Sequence, residues 1–426
     1  MNLRDRILPI LRRRLGSAGL PVRLVFWDGA SFDLGADPKI AIVLHDPAIV
    51  RRLLRGDIDA LGAAYVDGRL EVEGRLQDIL GIGIELSERI GKLAWLGHGI
   101  DVARRLAFWE GFRHTRERDA AAIRHHYDVS NDFYALWLDR HLVYSCAYFH
   151  SGAEDIDRAQ EQKLDHICRK LRLAPGERLL DIGCGWGGLA IWAAANYGVE
   201  VLGVTLSERQ IEEARRRVAA AGLSERVKIE HRDYRELTGE GIFDKIVSVG
   251  MYEHVGVANL PLYFGAIRRL LKTGGLALNH GITTGATEGR SMGPRGASFI
   301  DTYVFPGGEL PHLSGVVRET ARAGLEAIDI ENLRPHYTQT LLHWVRRLEA
   351  HRDEAIRLVG PERYRIWRIY MAGSALAFER GWLSLHQVLT VKPDATGFSQ
   401  RPWTRGYQYR PEFPPAMAQP LDWGEL

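Results

Sequence analysis

RLLDIGCGWGGL, residues 178–189, joins a short apolar run (Leu179, Leu180, Ile182) to a glycine-rich turn and then to a helical pattern. Strand, glycine turn and helix in this order bring a nucleotide-like ligand against a helix N-terminus. Glycine permits tight turning and close backbone approach, and the first helical N–H groups stay free to donate. The fingerprint alone fits a dinucleotide, another cofactor or plain strand–helix packing.

The pattern on either side of the turn alternates regularly. It predicts a helix at 159–171, strand 178–182, helix 189–197, strand 199–204, helix 207–221, strands 226–230 and 244–249, helix 261–271 and strand 275–280. Alternation of this kind implies an α/β fold with a parallel sheet and crossover helices. After residue 281 a long glycine-rich loop, TTGATEGRSMGPRGASF, interrupts it. A strand over 324–330, two or three helices over 338–380 and a closing strand over 383–391 complete the unit. Aromatic stripes in the helical stretch are read as core. The Pro- and aromatic-rich tail beyond residue 392 is read as an irregular surface run.

The first 90 residues are of another kind. Val22–Trp27 and Ala41–Leu44 read as strands, with the Asp28-Gly29 turn between them and a short helix over 47–55. They suit a small α+β module, followed by a linker at 91–120 and a catalytic span at 121–392. Arg4, Arg6, Arg12, Arg13 and Arg14 interleave with Leu and Ile at the N-terminus. This is either a basic amphipathic helix for an anionic membrane surface or a solvated helix face.

Bulk composition excludes some classes. With 426 residues, 46% hydrophobic and a net charge of +2, nothing points to nucleic acid. No apolar run is long enough to span a bilayer, and interrupting arginines exclude a signal peptide. Cys146, Cys168 and Cys184 have no metal spacing and leave an odd thiol, which suits a reducing, cytoplasmic setting. His125, His126 and Asp128 lack the supporting ligands of a metal site.

Residues after the second strand choose the ligand. A dinucleotide site wants an acid there, but the strand ends Gly203-Val204-Thr205-Leu206-Ser207. Hydroxyls of Thr205 and Ser207 stand in its place, with Gln210 one turn on. Asp233-Tyr234 after the third strand offers a carboxylate and a ring for adenine. These features favour a cofactor with a single adenosine.

DIGCGWGG, GVTLSERQ, MYEHVG, HYDVSNDFY, YSCAYF and FPGGELP together resemble the cyclopropane-fatty-acyl-phospholipid synthase family. The match covers about residues 120–392. The resemblance implies a class I S-adenosylmethionine (SAM)-dependent methyltransferase with a mostly parallel seven-stranded sheet and added lipid-pocket helices. Residues 1–110 look similar to the sterol-carrier-like N-terminal domain of the longer members. It also implies cofactor contacts at Tyr144, Ser145, Gly183, Gly185, Thr205, Leu206, Ser207, Gln210 and Tyr234, with Tyr127 and Asp128 shaping a lid. Tyr234 replaces a Trp of some members and keeps a ring.

Methyl transfer to a cis alkene leaves a carbocation, and ring closure needs a proton removed from the added methyl. Such a site must exclude water, tolerate the cation and hold a base. The resemblance implies that the base is bound bicarbonate. Its ligands would be the Cys146 backbone N–H, Glu253, His280, the Ile282 backbone and the Tyr337 hydroxyl. Each residue has an ordinary alternative. Cys146 can be a small buried hydrophobe, Glu253 a helix N-terminal acid, His280 a core histidine and Tyr337 a buried ring. The implied substrate is an unsaturated phospholipid chain at the inner membrane face, and the implied assembly a homodimer. Methyl- or methylene-branched products, and a lipid-binding protein without turnover, are the competing readings.

Overall fold

Alternate burial along Val22–Val25 and Ile40–Leu44 marks strands with one face on a core. The computed structural model describes residue 9 and residues 19–55, 58–74, 78–79, 81–82, 130–285 and 309–409. The arginine-rich N-terminal segment, the linker, His125–Asp128, most of the glycine-rich loop and the end of the tail lie outside the described residues. The chain divides into two units. One comprises 1–113, 292–307 and 352–376, and the other the remainder.

In the first unit, β1 (Val22–Val25) pairs antiparallel with β2 (Ser31–Asp33) and parallel with β3 (Ile40–Leu44). Gly29, at φ 79°, makes the β1–β2 turn, and the Asp28 carboxylate accepts the Ala30 N–H. Helices α1 (Ala48–Arg55) and α2 (Ile58–Val66) lead to β4 (Leu70–Gly74), antiparallel to β3. Leu24, Ile42, Leu44 and Val50 share a core with Ile369 from the 352–376 stretch. Arg365 also reaches Glu71 at 3.3 Å, and Arg368 donates to the Tyr65 hydroxyl at 3.0 Å. The unit is α+β, and residues 63–72 form a helix end, a turn at Gly68 and a strand start.

The second unit begins its described part with α3 (Asn131–Ala135) and α4 (Ile156–Lys170). There follow β5 (Arg178–Ile182), α5 (Gly188–Tyr197), β6 (Glu200–Thr205), α6 (Glu208–Ala220), β7 (Val227–His231) and β8 (Phe243–Val249). Then come α7 (Leu260–Leu270), β9 (Leu271–Thr284), α8 (Leu313–Arg322), β10 (Glu326–Asn332) and α9 (Arg334–Ala350). The chain continues through α10 (Arg352–Glu379), kinked at Gly360-Pro361, β11 (Leu383–Val391) and the short α11 (Gly406–Tyr409). The sheet order is β10-β11-β9-β8-β5-β6-β7, with β11 the one reversed strand.

Leu179 and Leu180 enter different cores, one on each face of the sheet. α4, α5 and α6 supply the first core with Leu164, Ala190 and Val218; α7 and α8 supply the second with Phe264, Ile267 and Val316. Central strands buried on both faces read as near-continuous apolar runs, which is why their positions were legible. β9 departs from expectation by running through Thr284. Thr283 and Thr284 pair with Ser384 and Leu383, so the partner strand extends it into the loop region. The tail also departs, since Tyr407 and Gln408 are buried and Arg405 meets Asp329 at 2.9 Å.

Candidate active site

The carboxyl ends of β5, β6, β7 and β8 line one cavity at the point where β5 has neighbours on both sides, which is where open α/β sheets take ligands. Gly183, Gly185 and Gly187 all adopt positive φ, at 82°, 55° and 79°. Only glycine does this without strain; the Gly183 and Cys184 N–H groups donate to the Val204 carbonyl, which ties the turn to the end of β6. Gly188 opens α5 under a tight roof, for a Cβ there would sit 2.8 Å from the His141 carbonyl oxygen.

Tyr144, Ser145, Gly183, Gly185, Thr205, Leu206, Gln210 and Tyr234 all line this cavity. The Thr205 hydroxyl donates to Gln210 Oε1 at 2.9 Å, which leaves the amide N–H groups of Gln210 available to a ligand. Ser207 is the exception. It does not line the cavity, and its Oγ caps α6 by accepting the Gln210 N–H. Asp233 is likewise committed to Arg235, at 2.6 Å, and the Tyr234 ring packs edge-on against Tyr263.

Sequence reasoning assigned no role to two charged residues of the cavity. Lys163, from α4, donates to Ser145 Oγ at 2.9 Å. Burial pushes its ammonium down to about 8 against the opposing pull of Asp139, Cys146 and Asp181. Burial pushes the Asp181 carboxyl up to about 7, with Lys163 pulling it back. Its Oδ2 has no hydrogen-bond partner among the described residues. A signal existed: Gln160, Lys163, His166 and Lys170 recur at helical spacing and all are buried. A polar stripe at that period reads as a solvent face, and here it faces inward.

The second constellation lies beside the first, just past the end of β8 and along the last part of the β9 ladder. Glu253 follows β8 on a single turn of 3-10 helix. Its Oε1 accepts the Ile282 N–H at 2.8 Å, and its Oε2 is buried with no partner among the described residues. Burial raises its carboxyl to about 7, with the Ile282 N–H opposing. The Ile282 N–H is therefore engaged by Glu253 in this structure. The Tyr252 hydroxyl donates to the Ile282 carbonyl at 3.1 Å, and its ring lies against Gly281, where a Cβ would come within 2.3 Å.

His280 precedes Ile282 by two residues on β9 and is held from β11 by Gln387, 3.2 Å from Nδ1. Burial, with the charges of Lys163 and Lys170, keeps its ring well below the usual histidine range and therefore neutral. Its Nε2 is buried with no partner among the described residues. Cys146 is tied to α9: its Sγ lies 3.9 Å from the Leu333 carbonyl, and Thr340 accepts the next N–H, that of Ala147. Burial drives the thiol far up, so Cys146 is no nucleophile. Tyr337 stands on the first turn of α9, with Phe378 at 4.7 Å and Trp344 edge-on at 6.1 Å.

Residues 114–388 match the family model described as mycolic acid cyclopropane synthetase. The chain belongs to this family. It is a SAM-dependent methyltransferase of the cyclopropane synthase kind. Residues 15–90 match a model described only as a domain of unknown function. A probable fatty acid methyltransferase of Pseudomonas putida is 48% identical over 400 residues, covering 93% of this chain and 98% of that one. The cyclopropane-fatty-acyl-phospholipid synthase of Escherichia coli K12 is 36% identical over 349 residues, 82% of this chain and 87% of its own. Among solved structures, mycolic acid cyclopropane synthase CmaA1 complexed with SAH and CTAB matches with a TM-score of 0.61 at 34% identity. That match covers 64% of this chain and 98% of the other.

Proposed function

We propose that this chain transfers a methylene group from SAM to the cis double bond of unsaturated acyl chains in membrane phospholipids, leaving a cyclopropane ring. One observation carries the reading: Glu253 Oε2, just past β8, and His280 Nε2, within β9, are both buried and polar and have no partner among the described residues. Unpaired buried polar atoms are costly, and a small oxyanion that accepts from both relieves the cost. Bicarbonate fits this donor set, with the Tyr337 hydroxyl and Cys146 backbone N–H as the remaining ligands.

When bound, SAM supplies an electrophilic methyl group and bicarbonate a base. The chain's own residues do the rest. Glu253, whose carboxyl burial raises to about 7, would donate a proton into the shared hydrogen bond in its protonated form, and neutral His280 would donate through Nε2. Methyl transfer to one alkene carbon would leave the adjacent carbon cationic. The rings of Tyr337, Trp344 and Phe378 offer it faces worth about 1–2 kcal/mol each when water is excluded. Loss of one proton from the added methyl then closes the ring. The substrate surface proposed with this reading is the inner face of the membrane. Among the described residues no helix is long and apolar enough to cross a bilayer.

A methyl- or methylene-branched product is the second reading, favoured by the name of the Pseudomonas putida relative. Both products share the cation and differ in which hydrogen moves next. Incubation with SAM and cis-unsaturated phospholipid vesicles tests the proposal. S-adenosylhomocysteine and cyclopropane ring protons in the NMR spectrum of the recovered lipid are expected. Olefinic exomethylene or branched-methyl signals would move the assignment to the second reading.

A further inference from the structure

We propose that Gln387 is a positioning residue that fixes His280 in the Nε2–H tautomer, making it a one-way hydrogen-bond donor toward the reacting anion. The last step of this inference rests on the function proposed above; the tautomer does not.

Gln387 and His280 stand opposite each other in the antiparallel β11–β9 register, so their side chains leave the same face of the sheet. The Gln387 amide nitrogen lies 3.2 Å from His280 Nδ1. An amide nitrogen only donates, so Nδ1 must present its lone pair. A neutral imidazole has one N–H, and with Nδ1 accepting, that proton is on Nε2. A doubly protonated ring would set two donors against each other beside Lys163 and Lys170, in a place closed to water. With the amide nitrogen toward the ring, as here, and Gln387 Oε1 buried without a partner among the described residues, the neutral ring has its single N–H directed away from Gln387; the flipped amide would accept from Nδ1–H instead, and the tautomer distinguishes the two.

The placement of Gln387 argues for this use. It is fully buried on a strand whose neighbours on the same face, Leu385 and Leu389, are apolar. An apolar side chain would pack there without burying an amide, and the ring is the partner it finds. β11 is the reversed strand of the sheet, so it reaches His280 from its middle and not from a loop. A ligand-orienting group on a rigid strand holds its geometry more tightly than one on a loop.

The test uses full-length protein labelled with 15N-histidine, observed by long-range 1H–15N correlation, with His280 assigned from the signals lost in His280→Asn. The wild type is expected to show an unprotonated Nδ1 and a protonated Nε2. Gln387→Glu is expected to draw the proton to Nδ1, since a carboxylate accepts where the amide donated. Gln387→Leu is expected to release the ring into mixed tautomers. Its kcat on lipid should fall by roughly tenfold or more, the usual range for a ligand-orienting residue, with KM for SAM unchanged. Calorimetric binding of S-adenosylhomocysteine certifies each variant as folded, and Gln387→Met replaces the leucine variant should that one fail. A protonated Nδ1 in the wild type, or a tautomer unmoved by these substitutions, overturns the proposal. The spectra need no acyl substrate, so absence of lipid turnover would count against the proposed function and leave the spectra to judge Gln387.

Discussion

Glu253, under the role proposed for it, would serve chemistry at the expense of stability. Its carboxyl titrates near 4.5 in an ordinary setting and is raised to about 7 by burial. A raised folded-state value means that the native chain favours the neutral form. That contribution is complete below the unfolded value and is lost as pH rises through the folded one. The gap of about 2.5 units corresponds to roughly 3 kcal/mol at 1.36 kcal/mol per unit. Glu253→Gln keeps an acceptor for the Ile282 N–H and removes the charge. The variant is expected to match the wild-type melting temperature near pH 4.5 and to exceed it by several degrees at pH 8. A flat difference across that range would contradict the raised carboxyl. Turnover should fall by two orders of magnitude or more with S-adenosylhomocysteine affinity nearly unchanged; equal loss of both would remove Glu253 from the reaction. The sequence identified Glu253 and His280 through their motifs; Glu253 does follow a strand end, whereas His280 was expected at one and lies inside β9, which runs on to Thr284. The sequence could not reveal that the Ile282 N–H is spent on Glu253, because that bond spans 29 residues. Nor could it show Ser207 as a cap, since Ser serves equally as ligand and as N-cap.

Among the elements, β5 to β8 stood almost where their apolar runs placed them, and helices 188–197 and 208–220 shifted by one residue at their ends. α4 was located correctly and its inward face was not. Lys163, His166 and Lys170 are paired by groups from distant segments, and pairing of that kind leaves no mark on local periodicity. β9 was read short because Gly281 interrupts the run, although Ile282, Thr283 and Thr284 favour extended backbone, and the register with β11 carries the strand through it. Gly281 within β9 exists to admit the Tyr252 ring. Gly281→Ala would push that ring away from the Ile282 carbonyl and shift the backbone that holds Glu253. The expected result is a fall in kcat of tenfold or more, the scale for misplacing catalytic groups by about 1 Å. KM for SAM should stay within twofold, because Gly281 does not line the donor cavity. A rise in that KM matching the fall in kcat would mean that the two constellations move as one.

At the scale of the molecule, each unit has its own sheet and core, and the catalytic unit is closed by the end of the chain. Lys170 pairs with Asp329 at 3.0 Å and with Glu331 at 2.6 Å, and His166 lies between Glu331 and the Gln408 carbonyl. Ser399 and Arg401 both bond Glu326, and Arg405 bonds Asp329. Ending the chain after residue 395 is expected to lower the melting temperature of the catalytic unit by several degrees and to steepen its loss with salt. An unchanged melting curve would show the tail to be dispensable cladding. The arrangement also has a consequence for synthesis. α4 leaves the ribosome some 160 residues before the segment carrying Asp329 and Glu331, and some 240 before Gln408. Until those acids emerge, the Lys170 ammonium has no buried counter-charge, and water is the better place for it. The nascent chain thus holds the helix beside its methyl-donor cavity loosely until the last strands and the tail are made.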